Sequence, residues 1–135
     1  MKFSHTVQTK ANSQRIWRVW INVPEWKRWD YQLEYSRLNG KFTEGATGVI
    51  KSKRSVESRF LIEEIRKNKL VISIDIPLSK LKITRTVEPM RKGCTFTHET
   101  SFEGPFGFFY GLLFGARFKR ELPIVMGKVA TIASS

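Results

Sequence analysis

Apolar positions in this chain recur at every second residue, then at three- and four-residue steps, then at every second residue again, and each change of period marks a new element. Phe3, His5, Val7 and Thr9 alternate with Ser4, Thr6 and Gln8, which predicts an opening strand. Asn12 or Ser13 in "ANSQ" offers a helix N-cap, and Ile16, Trp17, Trp20 and Ile21 then form one apolar stripe. A short amphipathic helix is predicted over Ser13–Ile21, followed by a second helical turn that starts at Pro24 and carries Trp26 and Trp29.

Period two then returns. Tyr31, Leu33 and Tyr35 alternate with Gln32, Glu34 and Ser36, "NGKFTEGATG" is a turn-rich connection, and a strand runs through Val49 and Ile50. The stretch Val56–Arg66 reads as one long strand whose alternation shifts between Ile62 and Ile65, the mark of a bulge. Lys67 and Asn68 make a tight turn into Leu70, Ile72, Ile74 and Ile76, a set ended by Pro77. Leu81, Ile83, Arg85 and Val87, and after "RKG" Cys94, Phe96, His98, Thr100 and Phe102, complete a two-faced antiparallel meander.

The chain closes on a helix predicted over Pro105–Ile132, whose Phe106, Phe109, Tyr110, Leu113, Phe114, Phe118, Leu122, Val125, Val129 and Ile132 are expected to cover the sheet. Gly107, Gly111, Gly115 and Pro123 interrupt that stripe and are expected to weaken and bend the helix, so that it stands off from the strands. The predicted fold class is α+β, a helix-grip arrangement in which a curved antiparallel sheet of about seven strands surrounds a long C-terminal helix, with two short helices after the first strand. The space between concave face and helix is the predicted site.

A length of 135 residues suits one domain, 1–135, with its own core. The single cysteine, Cys94, has no partner for an internal disulfide, and "MKFSHTVQTK" lacks the apolar run of a secretory signal, so a cytoplasmic protein is expected. "PFGFFYGLLFGA" is 12 residues long, shorter than the roughly 20 of a membrane-spanning helix, and is expected to be core. A net charge of +12 favours anionic partners. Its basic residues are scattered, however, and no helix-turn-helix, zinc-ligand set or aromatic RNA-binding signature accompanies them, which points away from nucleic acid and leaves an anionic membrane surface open. Oligomeric state is not legible.

Four tryptophans fall within residues 17–29. Trp17 and Trp20 lie on the helical stripe and are expected in the core; Trp26 and Trp29, flanked by Lys27 and Arg28, are expected to anchor the cavity rim, with ligand or membrane contact as the alternative. His98 shares a face with Phe96 and Phe102 and should look into the cavity, where it could orient a carbonyl or act as acid and base; the alternative is a buried histidine satisfied by a neighbour. Arg85 needs a partner, either an internal acid such as Glu64 or Asp75 or the acidic head of a ligand. Tyr35 and Tyr110 could add hydroxyls. Nucleophilic catalysis is unsupported: there is no GxSxG, and Cys94 and His98 on one strand would be about 13 Å apart. Two histidines and one cysteine make a poor ligand set, His5 stands far from His98 in sequence, and no glycine loop suits a phosphate; neither metal nor cofactor is expected.

The segments "RIWRVWINVPEWKRWD", "LNGKFTEGATG" and "GCTFTHETSFEGPFG", followed by the closing helix, together resemble the polyketide cyclase/dehydrase and lipid-transport family of the START-like (SRPBCC, Bet v 1-like) superfamily over nearly the whole chain. That resemblance implies a cavity for a lipid, polyketide or other small apolar molecule, and transfers no catalytic set. The expected function is binding of such a ligand between sheet and helix, with Trp29, Tyr35, Arg85, Phe96, His98, Phe102, Tyr110 and Phe114 as contact residues. The alternatives are a polyketide cyclase or dehydratase with His98 as its acid/base, and a basic module for an anionic membrane or nucleic acid.

Overall fold

The chain turns from strand to helix at Asn12, whose side-chain oxygen accepts from the Arg15 amide at 2.9 Å and caps the first turn. In the computed structural model, which describes residues 2–53 and 55–135, β1 (Lys2–Thr9) leads into α1 (Ser13–Ile21) and a 3-10 turn (Val23–Arg28). Six strands follow: β2 (Leu33–Leu38), β3 (Thr47–Ser52), β4 (Ser58–Arg66), β5 (Lys69–Ile76), β6 (Ser79–Pro89) and β7 (Cys94–Glu103). The last element is α2 (Gly107–Ser134). The strands form one curved antiparallel sheet in the order β1-β7-β6-β5-β4-β3-β2, with α2 gripped by it, so the expected helix-grip fold is the one observed.

Two bulges shape the sheet. The expected one breaks the β4–β5 register between Ile62 and Glu64. A second, between Leu33 and Tyr35 on β2, was not legible in the sequence. β4 also begins two residues later than expected, leaving Val56 exposed ahead of it.

At one end of the sheet the tryptophans close the core. Trp20 meets Trp17 and Phe96 edge-on, each at 6.1 Å, and the Trp26 indole N–H donates to the Trp20 carbonyl at 2.9 Å. Trp26 also lies 5.3 Å from the Phe60 ring, tying the 3-10 turn to β4.

α2 corrects the expected stripe. Its buried side is Gly107, Gly111 and Gly115, continued by Leu122, Met126, Val129 and Ala133, and the helix runs unbroken through Pro123. A methyl group on Gly115 would lie 2.3 Å from the Phe3 ring, and one on Gly107 would lie 2.6 Å from the Phe102 carbonyl oxygen. The glycines therefore bring the first turns of α2 onto the sheet instead of holding them off, because only a missing Cβ permits that approach. With the glycines inward, Phe108, Phe109, Leu112 and Leu113 face outward and are exposed.

Candidate ligand cavity

The strand register sets side chains of the concave face in transverse rows. His5, His98, Arg85 and Leu70 lie opposite one another across β1, β7, β6 and β5. The next row holds Phe3, Thr100, Ile83 and Ile72, and the one after it Phe102, Leu81 and Ile74. Val7, Phe96 and Val87 form a row on the other side of His98. His5 and His98, far apart in sequence, are thus cross-strand neighbours, because β1 pairs with β7.

Between these rows and α2 lies a cavity of about 400 Å³. Ile72, Ile74, Leu81 and Ile83 form its floor, and Tyr110, Phe114, Phe118, Leu122 and Val125 of α2 form its roof. Trp26, Trp29, Asp30, Arg85 and His98 give it one polar end. The other end approaches the β5–β6 hairpin at Ile76 and Pro77, where the Tyr110 hydroxyl donates to the Pro77 carbonyl at 3.1 Å.

Of the residues expected to line it, Trp29, Arg85, His98, Phe102, Tyr110 and Phe114 do so. Phe96 does not. It is buried in the row that α1 covers, against Trp20, and belongs to the core. Tyr35 does not either: the bulge after Leu33 rotates it off the inward face, Ser36 takes the buried position, and the Tyr35 hydroxyl donates to Glu57 at 3.0 Å on the surface. Trp26, expected at the rim, also lines the cavity, whereas sequence reading missed the isoleucine floor, Asp30 and Gln32. Alternation did signal the isoleucines, since Ile72, Ile74 and Ile83 share the face of His98 by register.

The internal acids proposed for Arg85 are elsewhere. Glu64 pairs with Arg66 and Lys69, and Asp75 is exposed. Arg85 is 4% exposed, its Nε and one terminal nitrogen have no hydrogen-bond partner among the described residues, and its guanidinium lies over Trp29 at 5.0 Å and Trp26 at 5.6 Å. Burial lowers its pKa to about 10, against a smaller opposing pull from Asp30, so it is still cationic at neutral pH. Burial pushes the Asp30 carboxyl up from its ordinary value, while the hydrogen bond from the Gln32 amide and the charge of Arg85 act the other way.

His98 is held well below its ordinary value, first by burial and then by the neighbouring Arg85 charge. Its imidazole is therefore neutral in the folded protein at neutral pH and can accept a proton or a hydrogen bond. The polar end thus combines a cationic donor, a neutral imidazole and a carboxyl group. For stability, a depressed histidine pKa means that the unfolded chain binds the proton first. Stability should fall as pH drops below about 6.5, by up to ~1.4 kcal/mol per pH unit, until the folded-state pKa is reached. The raised pKa of Asp30 acts with the opposite sign at lower pH. Urea midpoints measured from pH 7 to 5 are expected to fall less steeply for His98→Leu than for the parent; parallel profiles would mean that His98 is not the group responsible.

No family model matches the sequence, and comparison with curated proteins gives no match either. Solved structures do match. A Mesorhizobium loti protein superposes with a TM-score of 0.76 at 15% identity, covering 99% of this chain and 97% of that one. A Thermus thermophilus protein gives 0.77 at 10% identity, with the same coverage of 99% and 97%. Norcoclaurine synthase from Thalictrum flavum, solved with dopamine and hydroxybenzaldehyde, gives 0.75 at 12% identity, covering 99% of this chain and 86% of the synthase. The chain has the Bet v 1-like fold of these structures.

Proposed function

We propose that the chain binds one small hydrophobic molecule in the cavity between sheet and α2. The observation that carries this reading is the cavity itself: about 400 Å³, with an isoleucine and leucine floor and an aromatic roof. Ligand sites typically span about 300–1,000 Å³ and are predominantly apolar, and burial of apolar ligand area supplies the affinity. The lipids, polyketides and aromatics implied by the sequence resemblance fit such walls, and the aromatic compounds bound to norcoclaurine synthase are of the same kind. Native mass spectrometry of protein purified from cells is expected to reveal one apolar compound per chain, released by organic solvent. Ile83→Trp should fill the cavity at a cost of about 1–3 kcal/mol and abolish that adduct. An empty parent protein that also takes up no apolar probe would overturn the reading.

A second reading concerns the outer face of α2, which we propose docks on an anionic lipid surface. Phe108 and Leu112 are 66% and 60% exposed, Phe106, Phe109 and Leu113 lie beside them, and Leu78 at the hairpin tip is 68% exposed with φ of 58°, a conformation leucine seldom adopts. The Phe106 amide donates to Ser79 Oγ at 3.0 Å, which makes tip and helix start one continuous patch. Leu112 and Lys119, and Leu113 and Arg120, are seven residues apart, so cations occupy the same side of the helix about 10 Å behind the apolar tip. No acidic residue occurs from Pro105 to Arg120. Apolar side chains at the acyl boundary with cations at phosphate level is the arrangement of an interfacial anchor. A second copy would carry the same net charge of +12, which argues against self-association there. Among the described residues no helix is long and apolar enough to cross a membrane, so contact would be with the surface.

A further inference from the structure

The polar end of the cavity contains donors without acceptors. Besides Arg85 Nε and one of its terminal nitrogens, the Trp29 indole N–H is buried without a partner among the described residues. The nearby acids are otherwise engaged: Asp30 accepts from the Gln32 amide, and Glu121 accepts from Tyr31, Gln32 and Arg117. Arg85 makes no ion pair within 4.0 Å among the described residues. A buried guanidinium is costly unless something compensates it, and it cannot shed its charge at neutral pH. Its planar fork matches a carboxylate in both charge and shape.

Building on the cavity reading above, we infer that the ligand is an amphiphilic acid whose carboxylate is received by Arg85 and the Trp29 N–H, with its apolar body lying along β5–β7 toward Tyr110 and Phe114. The chemistry of the walls follows that axis. From Arg85 the floor passes to Ile83 and Ile72 and then to Leu81 and Ile74, with no charged side chain in those rows. Arg85 to Leu81 is four residues of strand, about 13 Å, which suits a medium-length acyl chain or a compact ring system bearing one acid. The two tryptophan rings over the guanidinium exclude water from the pair, and His98 beside it, neutral at neutral pH, adds no second positive charge.

Calorimetry with decanoate and its neutral counterpart decanol at neutral pH, on protein stripped of resident ligand, tests this assignment. The parent is expected to prefer decanoate by about 10–100-fold, the usual worth of a hydrogen-bonded charge. Arg85→Met should erase that preference while decanol binding survives, and Trp29→Phe, which keeps a ring and deletes the N–H, should reduce it several-fold. Arg85→Met should also raise Tm of the ligand-free protein, because it removes a buried charge that has no ion pair and leaves two nitrogens unsatisfied among the described residues; a guanidinium serving only the fold would give a lower Tm. Equal affinity for the two ligands overturns the inference. So does a preference that persists in Arg85→Met, or one that high salt removes, since salt screens the basic surface but not a buried pair. Binding of decanol alone would sink the acid assignment and leave the cavity reading standing, whereas binding of neither ligand would sink both.

Discussion

Trp20→Ala is expected to lower the unfolding free energy by about 3–5 kcal/mol, a large share of the 5–15 kcal/mol typical of a native domain. The Trp20 ring is 2% exposed and joins α1 to β7 through Phe96, while the Trp20 carbonyl holds the Trp26 indole. Truncation would leave a ring-sized void between three elements that have no other way to fill it. Trp17→Ala, at a half-buried position on the same helix, should cost about 1 kcal/mol. Chemical denaturation of both variants at matched m-values measures the difference. A Trp20→Ala midpoint close to that of the parent would mean that the tryptophan cluster is not what fastens α1 and the 3-10 turn to the sheet.

The second large effect is expected at the outer face of α2. Replacing Phe108 and Leu112 together by Asp should weaken sedimentation with phosphatidylcholine vesicles containing phosphatidylserine by about 100-fold, since each side chain can contribute roughly 1.5 kcal/mol or more on burial. Both positions are exposed, so thermal unfolding should be nearly unchanged. Lys119→Glu with Arg120→Glu should weaken binding to the anionic vesicles and flatten its salt dependence, with little effect on phosphatidylcholine alone. A parent protein that ignores vesicles and instead dimerises through this face in sedimentation equilibrium would overturn the membrane reading.

Much of the candidate site could be read from alternation. His98, Phe102 and Arg85 face the cavity because neighbouring strands are in the register that their period-two patterns imply, and Trp29, Tyr110 and Phe114 reach it from the expected elements. Tyr35 was misread because a bulge depends on how β2 pairs with β3, which the residues of β2 alone do not reveal. Phe96 was assigned to the cavity because it shares a face with His98; Trp20 of α1 packs on it instead, and where a helix lies on a sheet is not encoded in strand periodicity.

By itself the sequence determined the order and type of the elements, from the capped helix at Asn12 to the long terminal helix. Strand and helix periods are properties of a few consecutive residues, so they can be read from consecutive residues. Which side of α2 meets the sheet was decided only in three dimensions. Gly107 and Gly115 look like helix weakeners until the Phe102 backbone and the Phe3 ring occupy the space that their missing side chains leave. The same holds for Arg85: a charged residue in an apolar pattern announces a need for compensation, but its lack of an ion pair among the described residues follows from where Asp30, Glu64 and Asp75 lie in the fold. Long-range approach of backbone and charge therefore decided what the cavity would accept and which surface would be left greasy.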